Sequence, residues 1–160
     1  MQRINNVVSL DQTDLNILTL LQQNSRLEIK QIAELVHKSP PTTNERIKKL
    51  FELGYIQRFT AVLDRKLVGR PTLMITLVKL NKHSAESLRG FSACMSKIPE
   101  VQVCLHLSGE FDFLLQITLR DPYEYEEFLD TRLCTLPMVD KVQSSLVLKE
   151  CKMQGVLPLV

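Results

Sequence analysis

The apolar residues of this chain change period near residue 70, so two folding units of different class must share it. Before that point the spacing is helical. Leu15, Leu18 and Leu21, reinforced by Ile17, form one apolar stripe. Asp11 stands where a helix N-cap belongs, with Asp14 three residues on, near the positive end of the helix dipole. Asn24-Ser25 ends the run. A second, short helix is expected from Glu28 to Val36, with Ile29, Ile32, Ala33 and Val36 inward. After a break at His37-Lys38, Ser39 caps a third helix whose first position is Pro40, where a missing N–H costs nothing. Thr43, Ile47, Leu50 and Phe51 share a face, and Gly54 stops the helix. Tyr55 to Leu63 is rich in β-formers and is expected to make a small hairpin, or wing.

From Arg70 the signal is that of strands. Leu73–Leu80 is the first, Val101–Leu107 and Phe111–Leu119 are joined tightly at Ser108-Gly109-Glu110, and Val139–Leu148 is the fourth. Ser84 caps a helix to about Lys97, and Asp121-Pro122 caps another to about Cys134. The order is βαββαβ. A weak repeat agrees with it: Ile98-Pro99-Glu100-Val101 and Leu136-Pro137-Met138-Val139 lie 38 residues apart, each a proline stop before a strand. The expected class is α+β, an N-terminal winged helix-turn-helix followed by a ferredoxin-like βαββαβ domain. Its boundaries are 1–63 for the first domain, 64–71 for a linker, 72–149 for the second domain and 150–160 for a tail without an assigned role.

Charge divides along the same line. Residues 1–69 hold ten Lys/Arg against seven Asp/Glu, or +3, and residues 70–160 hold ten against eleven, or −1. Within Lys38–Arg70 the count is eight against three, which suits a polyanionic partner for that segment. No apolar run reaches the roughly 18–20 residues that span a bilayer, and Met1–Leu10 lacks a signal-peptide core, so no membrane partner and a cytoplasmic location are expected. Cys94, Cys104, Cys134 and Cys151 show no metal-ligand spacing and are expected to be buried free thiols. No cofactor is expected. With no phosphate loop and no nucleophile elbow, neither is enzymatic activity. The acids Glu124, Glu126, Glu127 and Asp130 read as a solvated helix face.

On a helical wheel of the third helix, Pro41, Thr42, Glu45, Lys48 and Lys49 point away from the core, with Asn44 and Arg46 on the flanks. Short polar residues at the N-terminal end suit a helix that enters a DNA major groove. Arg46, Lys48 and Lys49, with Lys38 and Ser39 in the preceding turn, suit phosphate contacts. Thr42 suits a thymine methyl group and Glu45 a cytosine amino group. Double-stranded DNA is the partner this pattern fits; a plain trihelical packing module is the alternative.

In the second domain, alternation places Val101, Val103, Leu105 and Leu107, and Phe111, Phe113, Leu115, Ile117 and Leu119, on the faces that carry the helices. The other face would hold Gln102, Cys104, His106 and Ser108, then Asp112, Leu114, Gln116 and Thr118, joined by Met74, Thr76 and Val78 of the first strand. That face is mixed, as in a protein interface, so a dimer is expected. His106 has no ligating companion and reads as structural; His37 and His83 lie near turns and support no site. Asp112 is an acid beside the turn, where a strand disfavours it. A zwitterion needs acceptors for its ammonium and donors for its carboxylate. Asp112 offers the first, and backbone N–H groups at Ser108-Gly109-Glu110 the second, with Gly109 allowing close approach. The residues alone favour the simpler reading, that Asp112 caps the turn on a polar face. Two other classes are open: a metabolic ligand-binding domain beside an inert trihelical unit, and a single-stranded RNA binder, for which exposed sheet aromatics are missing.

The run from Leu10 to Leu18 resembles the opening of the leucine-responsive regulatory protein (Lrp/AsnC) family, as do Asn24-Ser25-Arg26 with Ile32-Ala33, and Ser39-Pro40 with Arg46-Ile47-Lys48-Lys49-Leu50 and Gly54-Tyr55-Ile56. Ile98-Pro99-Glu100-Val101 and Gly109-Glu110-Phe111-Asp112 are similar to segments of that family's effector domain. The resemblance implies a DNA-binding regulator that forms dimers through the effector domain, often arranged as octamers. It also implies a free amino acid bound where two dimers meet, near Gly109, Glu110, Phe111 and Asp112, with Ser108 where threonine is common and Ser145 a weaker candidate. It turns the reading of Asp112 toward the ligand. Two departures stand out: His37-Lys38 where a glycine and an apolar residue are usual, and Thr43 where an aliphatic residue is usual. Histidine tolerates positive φ better than most residues, so the turn survives.

Overall fold

A computed structural model describes residues 10–152 and 155–159. The parts of the expected first domain at residues 1–9, and of the expected tail at 153, 154 and 160, lie outside the described residues. The chain divides into two compact units, one running to Ala61 and including the tail from Lys152, the other Val62–Cys151.

The first unit has three helices: α1 (Gln12–Gln23), α2 (Ile29–Leu35) and α3 (Pro40–Glu52). Each start has a local cause. Asp11 and Asp14 form a reciprocal capping box on α1, and the Ser39 hydroxyl accepts from the Thr42 N–H at the start of α3. Each end of the helix-turn-helix pair is closed by a residue at positive φ. His37 sits at 53° after α2, with Lys38 N–H bonded to the Ala33 carbonyl; Gly54 sits at 82° after α3, with Tyr55 N–H bonded to the Leu50 carbonyl. Histidine thus does in the turn what glycine usually does. Ile17, Leu18, Leu21, Ile32, Val36, Ile47 and Leu50 make the core. The expected wing hairpin does not form: residues 56–64 contain no strand. Ile56 packs on the helical core and Phe59 meets Phe51 edge-on at 5.2 Å, while Val62 and Leu63 are exposed. A lone two-stranded ribbon is marginal in water.

The second unit contains β1 (Thr72–Leu80), α4 (Ala85–Met95), β2 (Val101–His106), β3 (Phe113–Leu119), α5 (Pro122–Phe128) and β4 (Val139–Leu146). The sheet is antiparallel with order β2-β3-β1-β4. Ser84 caps α4 and Asp121 caps α5, as their sequence positions suggest. The last expected helix is shorter than its pattern, because α5 passes at Leu129 into a π-helical turn over Leu129–Leu133. Residues expected to be a linker form a turn within this unit, where Asp64 accepts from the Lys66 N–H at 2.8 Å.

Two expected strand faces are reversed. In β1, Met74, Thr76 and Val78 lie on the helix-covered face, opposite Ile117, Leu115 and Phe113; Val78 and Thr76 are fully buried. Paired residues of antiparallel strands share a face. In β2 a bulge between Val101 and Val103 changes the parity. Val101 faces the core, but Cys104 and His106 follow it, opposite Leu115 and Phe113, while Val103 and Leu105 turn outward. The outer face therefore carries an apolar row across three strands, Leu105–Leu114–Leu77. Leu105 is half exposed. His106 stacks on Phe113 with centroids 5.2 Å apart. None of the cysteines is fully buried: Cys94 and Cys104 are half-buried, and Cys134 and Cys151 are exposed. The acidic face of α5 is solvated except at Glu124, which takes Arg70 at 3.0 Å and Arg120 at 3.2 Å.

Candidate nucleic-acid interface and effector loop

The helical core fixes which way α3 faces. Thr43, Ile47 and Leu50 are buried, and Pro41, Thr42, Glu45, Lys48 and Lys49 are exposed. Lys38 and Ser39 are exposed in the turn before the helix, and Asn44 is half-buried on its flank. The Ser39 and Thr42 hydroxyls bond one another at 2.8 Å, which orients the Thr42 side chain at the first turn. This is a protruding helix with donors, an acceptor and a methyl group on its N-terminal half and two lysines behind them.

Arg46 departs from its expected role. Its guanidinium bonds Asp11 Oδ2 at 2.7 Å and Asp14 Oδ1 at 2.8 Å, clasping α3 to the start of α1. The Asp11 carboxyl lies below its ordinary value, chiefly through the Asp14 N–H and then through Arg46. The arginine is held charged by Asp14 and Asp11. Both bonds are made by Nη1, so the guanidinium is turned toward α1 and its charge is shared with two carboxylates. Arg58, half-way along the segment after α3, is an exposed cation that the helical wheel did not single out. Only its membership of the basic segment pointed to it.

The loop between β2 and β3 brings Ser108, Gly109 and Glu110 to the surface. Gly109 has φ 146°, a conformation side-chain-bearing residues rarely adopt, and a Cβ there would meet open space. Phe111 and Glu110 gather around Lys141 of β4, whose Nζ lies 5.3 Å from the Phe111 ring centroid and 3.4 Å from the Glu110 carboxylate. Asp112 is buried. Its carboxylate accepts the Leu80 N–H at 2.7 Å and meets His83 Nδ1 at 2.8 Å. The expected free acceptor for an ammonium group is therefore engaged with the end of β1, which agrees with a cap in that position. His83, read from sequence as supporting no site, is the partner that holds it. Ser145 is not brought to the loop. It pairs with Ile75, while Lys141 pairs with Lys79 four residues further along β1, a separation of about 13 Å at 3.3 Å per residue. Sequence reasoning missed Lys141 because its neighbourhood depends on sheet order.

Comparison with known proteins matches a different family model to each part of the chain. Residues 10–57 match the winged helix-turn-helix DNA-binding domain, and residues 73–157 match the Lrp/AsnC ligand binding domain. The chain is 32% identical to the leucine-responsive regulatory protein of Haemophilus influenzae over 94% of its own length and 91% of that protein. It is 30% identical to the transcriptional regulator AzlB of Bacillus subtilis, over 95% and 97% of the two chains. Among solved structures, a transcriptional regulator of Neisseria meningitidis in complex with L-methionine superposes with a TM-score of 0.88 at 34% identity, covering 94% of this chain and 97% of that one. With a DNA-binding helical unit and a ligand-binding sheet unit matched in this order, the chain belongs to the Lrp/AsnC family of transcription regulators.

Proposed function

We propose that this protein binds duplex DNA as a dimer or larger assembly through α3, and that a free amino acid at the loop after β2 sets its assembly and so its occupancy of DNA. The observation that carries the reading is the division of α3 into a buried face and a protruding one. Thr42, Asn44 and Glu45, with Pro41, meet base edges, while Lys38, Ser39, Lys48 and Lys49 meet phosphates. Arg46 supports the pose from behind, through its clasp on α1.

Dimerisation uses the outer sheet face. Exposed apolar area costs about 25 cal/mol per Å², so the row Leu105–Leu114–Leu77 favours burial against a second copy. Two-fold symmetry then offers two copies of α3 to successive major-groove faces. For the ligand, the backbone at Ser108, Gly109 and Glu110 supplies donors for a carboxylate, with Lys141 and Phe111 alongside. Asp112 acts by pinning the loop to Leu80 and His83. The methionine complex of the Neisseria regulator supports an amino acid as the ligand class. A regulator of this kind works where the chromosome is, in the cytoplasm, and no catalytic step or cofactor is part of the proposal. Among the described residues no helix is long and apolar enough to cross a membrane.

The test is calorimetry with the common amino acids, L-methionine first, paired with sedimentation and duplex-binding measurements at the same ligand concentrations. The expected result is binding by the wild type that shifts assembly, with a loss of at least tenfold in affinity for Asp112→Ala. Full-strength binding by that variant removes Asp112 from the site, and no binding of any amino acid leaves the sheet unit as an assembly module alone.

A further inference from the structure

The tail that carried no sequence signal returns to the helical unit. Leu159 packs against that unit's core. The Gln22 side chain recognises the Leu157 backbone at both ends: its Oε1 accepts the Leu157 N–H at 2.8 Å and its Nε2 donates to the Leu157 carbonyl at 3.4 Å. A primary amide reading a peptide N–H and C=O together is the pairing of a sheet ladder, made here by one side chain. Leu157, Pro158 and Leu159 share a groove of about 620 Å³ with α1 and with the segment Tyr55–Thr60, including Arg58. That segment occupies the wing position, and its residues 56–60 hold no strand. The chain passes between the two units twice, at Ala61–Val62 and at Cys151–Lys152.

We propose that the C-terminal segment Leu157–Leu159 is a strap that holds the wing-position segment against α1 and thereby places Arg58 on the DNA backbone. Leu157–Leu159 is then part of the DNA-binding machinery. Gln22 and Leu159 are positioning residues, since they act through Arg58 and touch no nucleotide. The inference rests on α3 binding DNA, as proposed above. It adds a second contact region and a cause for its order. A strap that only stabilised the fold would lower the melting temperature and leave the electrostatics of DNA binding alone. One that positions Arg58 must also change the salt dependence, because each phosphate contact contributes about 0.9 to the slope of log affinity against log salt.

The experiment is a double-mutant cycle on the full chain, reading duplex affinity and its salt slope by fluorescence anisotropy. The variants are Leu159→Asp, Gln22→Ala, Arg58→Ala and the pairs of each strap variant with Arg58→Ala. Leu159→Asp and Gln22→Ala are expected to weaken binding about three- to tenfold and to lower the salt slope by about one. Arg58→Ala is expected to do the same alone and to add nothing in either strap background. Losses that add, or strap variants with wild-type affinity and slope, overturn the proposal. Circular dichroism identifies a variant that has unfolded; Gln22→Ala, which removes only two exposed hydrogen bonds, then carries the cycle. Wild-type protein without duplex affinity would instead refute the reading on which the strap rests.

Discussion

Three residues show how single side chains set the terms for the site. Thr43 stands on the buried face of α3, fully inaccessible, and its hydroxyl has no hydrogen-bond partner among the described residues. A buried hydroxyl left unpaired costs about 1–3 kcal/mol. Thr43→Val keeps the shape and removes the polar atom, so it is expected to stabilise the protein by about 1 kcal/mol, read as a higher denaturation midpoint. An unchanged or lower midpoint would mean that the hydroxyl is satisfied. Asp11 and Arg46 form the opposite case, a polar pair well supplied with partners. Because the folded carboxyl of Asp11 lies below its ordinary value of 3.8, its contribution to stability is present above that value and lost as pH falls through the folded one. Asp11→Asn is therefore expected to be less stable than wild type at pH 7, with the gap closing as pH falls below the ordinary value of 3.8. A gap independent of pH would point to packing alone. Neither effect was legible in the sequence: Thr43 read as a core position and Arg46 as a phosphate contact, because the unpaired hydroxyl and the two carboxylates that hold Arg46 are set by tertiary packing.

At the scale of elements, the legible features were those with local causes. The capping residues Asp11, Ser39, Ser84 and Asp121 mark four helix starts correctly. The paired stops at Ile98-Pro99 and Leu136-Pro137 stand just before β2 and β4. What failed has non-local causes. The bulge after Val101 leaves no composition signal, yet a one-residue change of register turns every later side chain to the other face. In β1 both faces are apolar, Met74-Thr76-Val78 against Ile75 and Leu77, as in a strand paired on both sides; alternation alone cannot choose between them. The wing segment holds no strand, and Ile56 and Phe59 pack on the helices. The attachment of α5 to the sheet is a further non-local device. The Tyr125 hydroxyl bonds Thr76 Oγ1 at 2.8 Å and also Ser144, joining α5 to β1 and β4. Tyr125→Phe leaves the buried Thr76 hydroxyl unpaired and is expected to cost about 1–3 kcal/mol. A chemical-denaturation midpoint equal to wild type would show that this chain of hydroxyls is dispensable.

For the whole molecule, the reversed strand faces sharpen the expectation of assembly. With Met74 and Val78 in the core, the outer face is left with Leu105, Leu114 and Leu77, of which Leu105 is half exposed and the other two are partly so. Leu114→Asp places a charge in the middle of that row without touching the core. Sedimentation at micromolar concentration is expected to show wild type as a dimer or larger and the variant as a monomer with unchanged circular dichroism. A variant that still assembles would move the interface elsewhere. In the proposed reading, assembly sets how many copies of α3 meet one duplex, and the ligand loop acts on DNA through that number. The central claim is more basic than either: α3 holds the DNA, with its lysines on phosphates. It is tested most directly by measuring duplex affinity across a salt series for wild type and for Lys48→Ala plus Lys49→Ala. The expected result is a salt slope lower by about two and weaker binding to all sequences alike. A folded double variant with unchanged affinity and slope would contradict it.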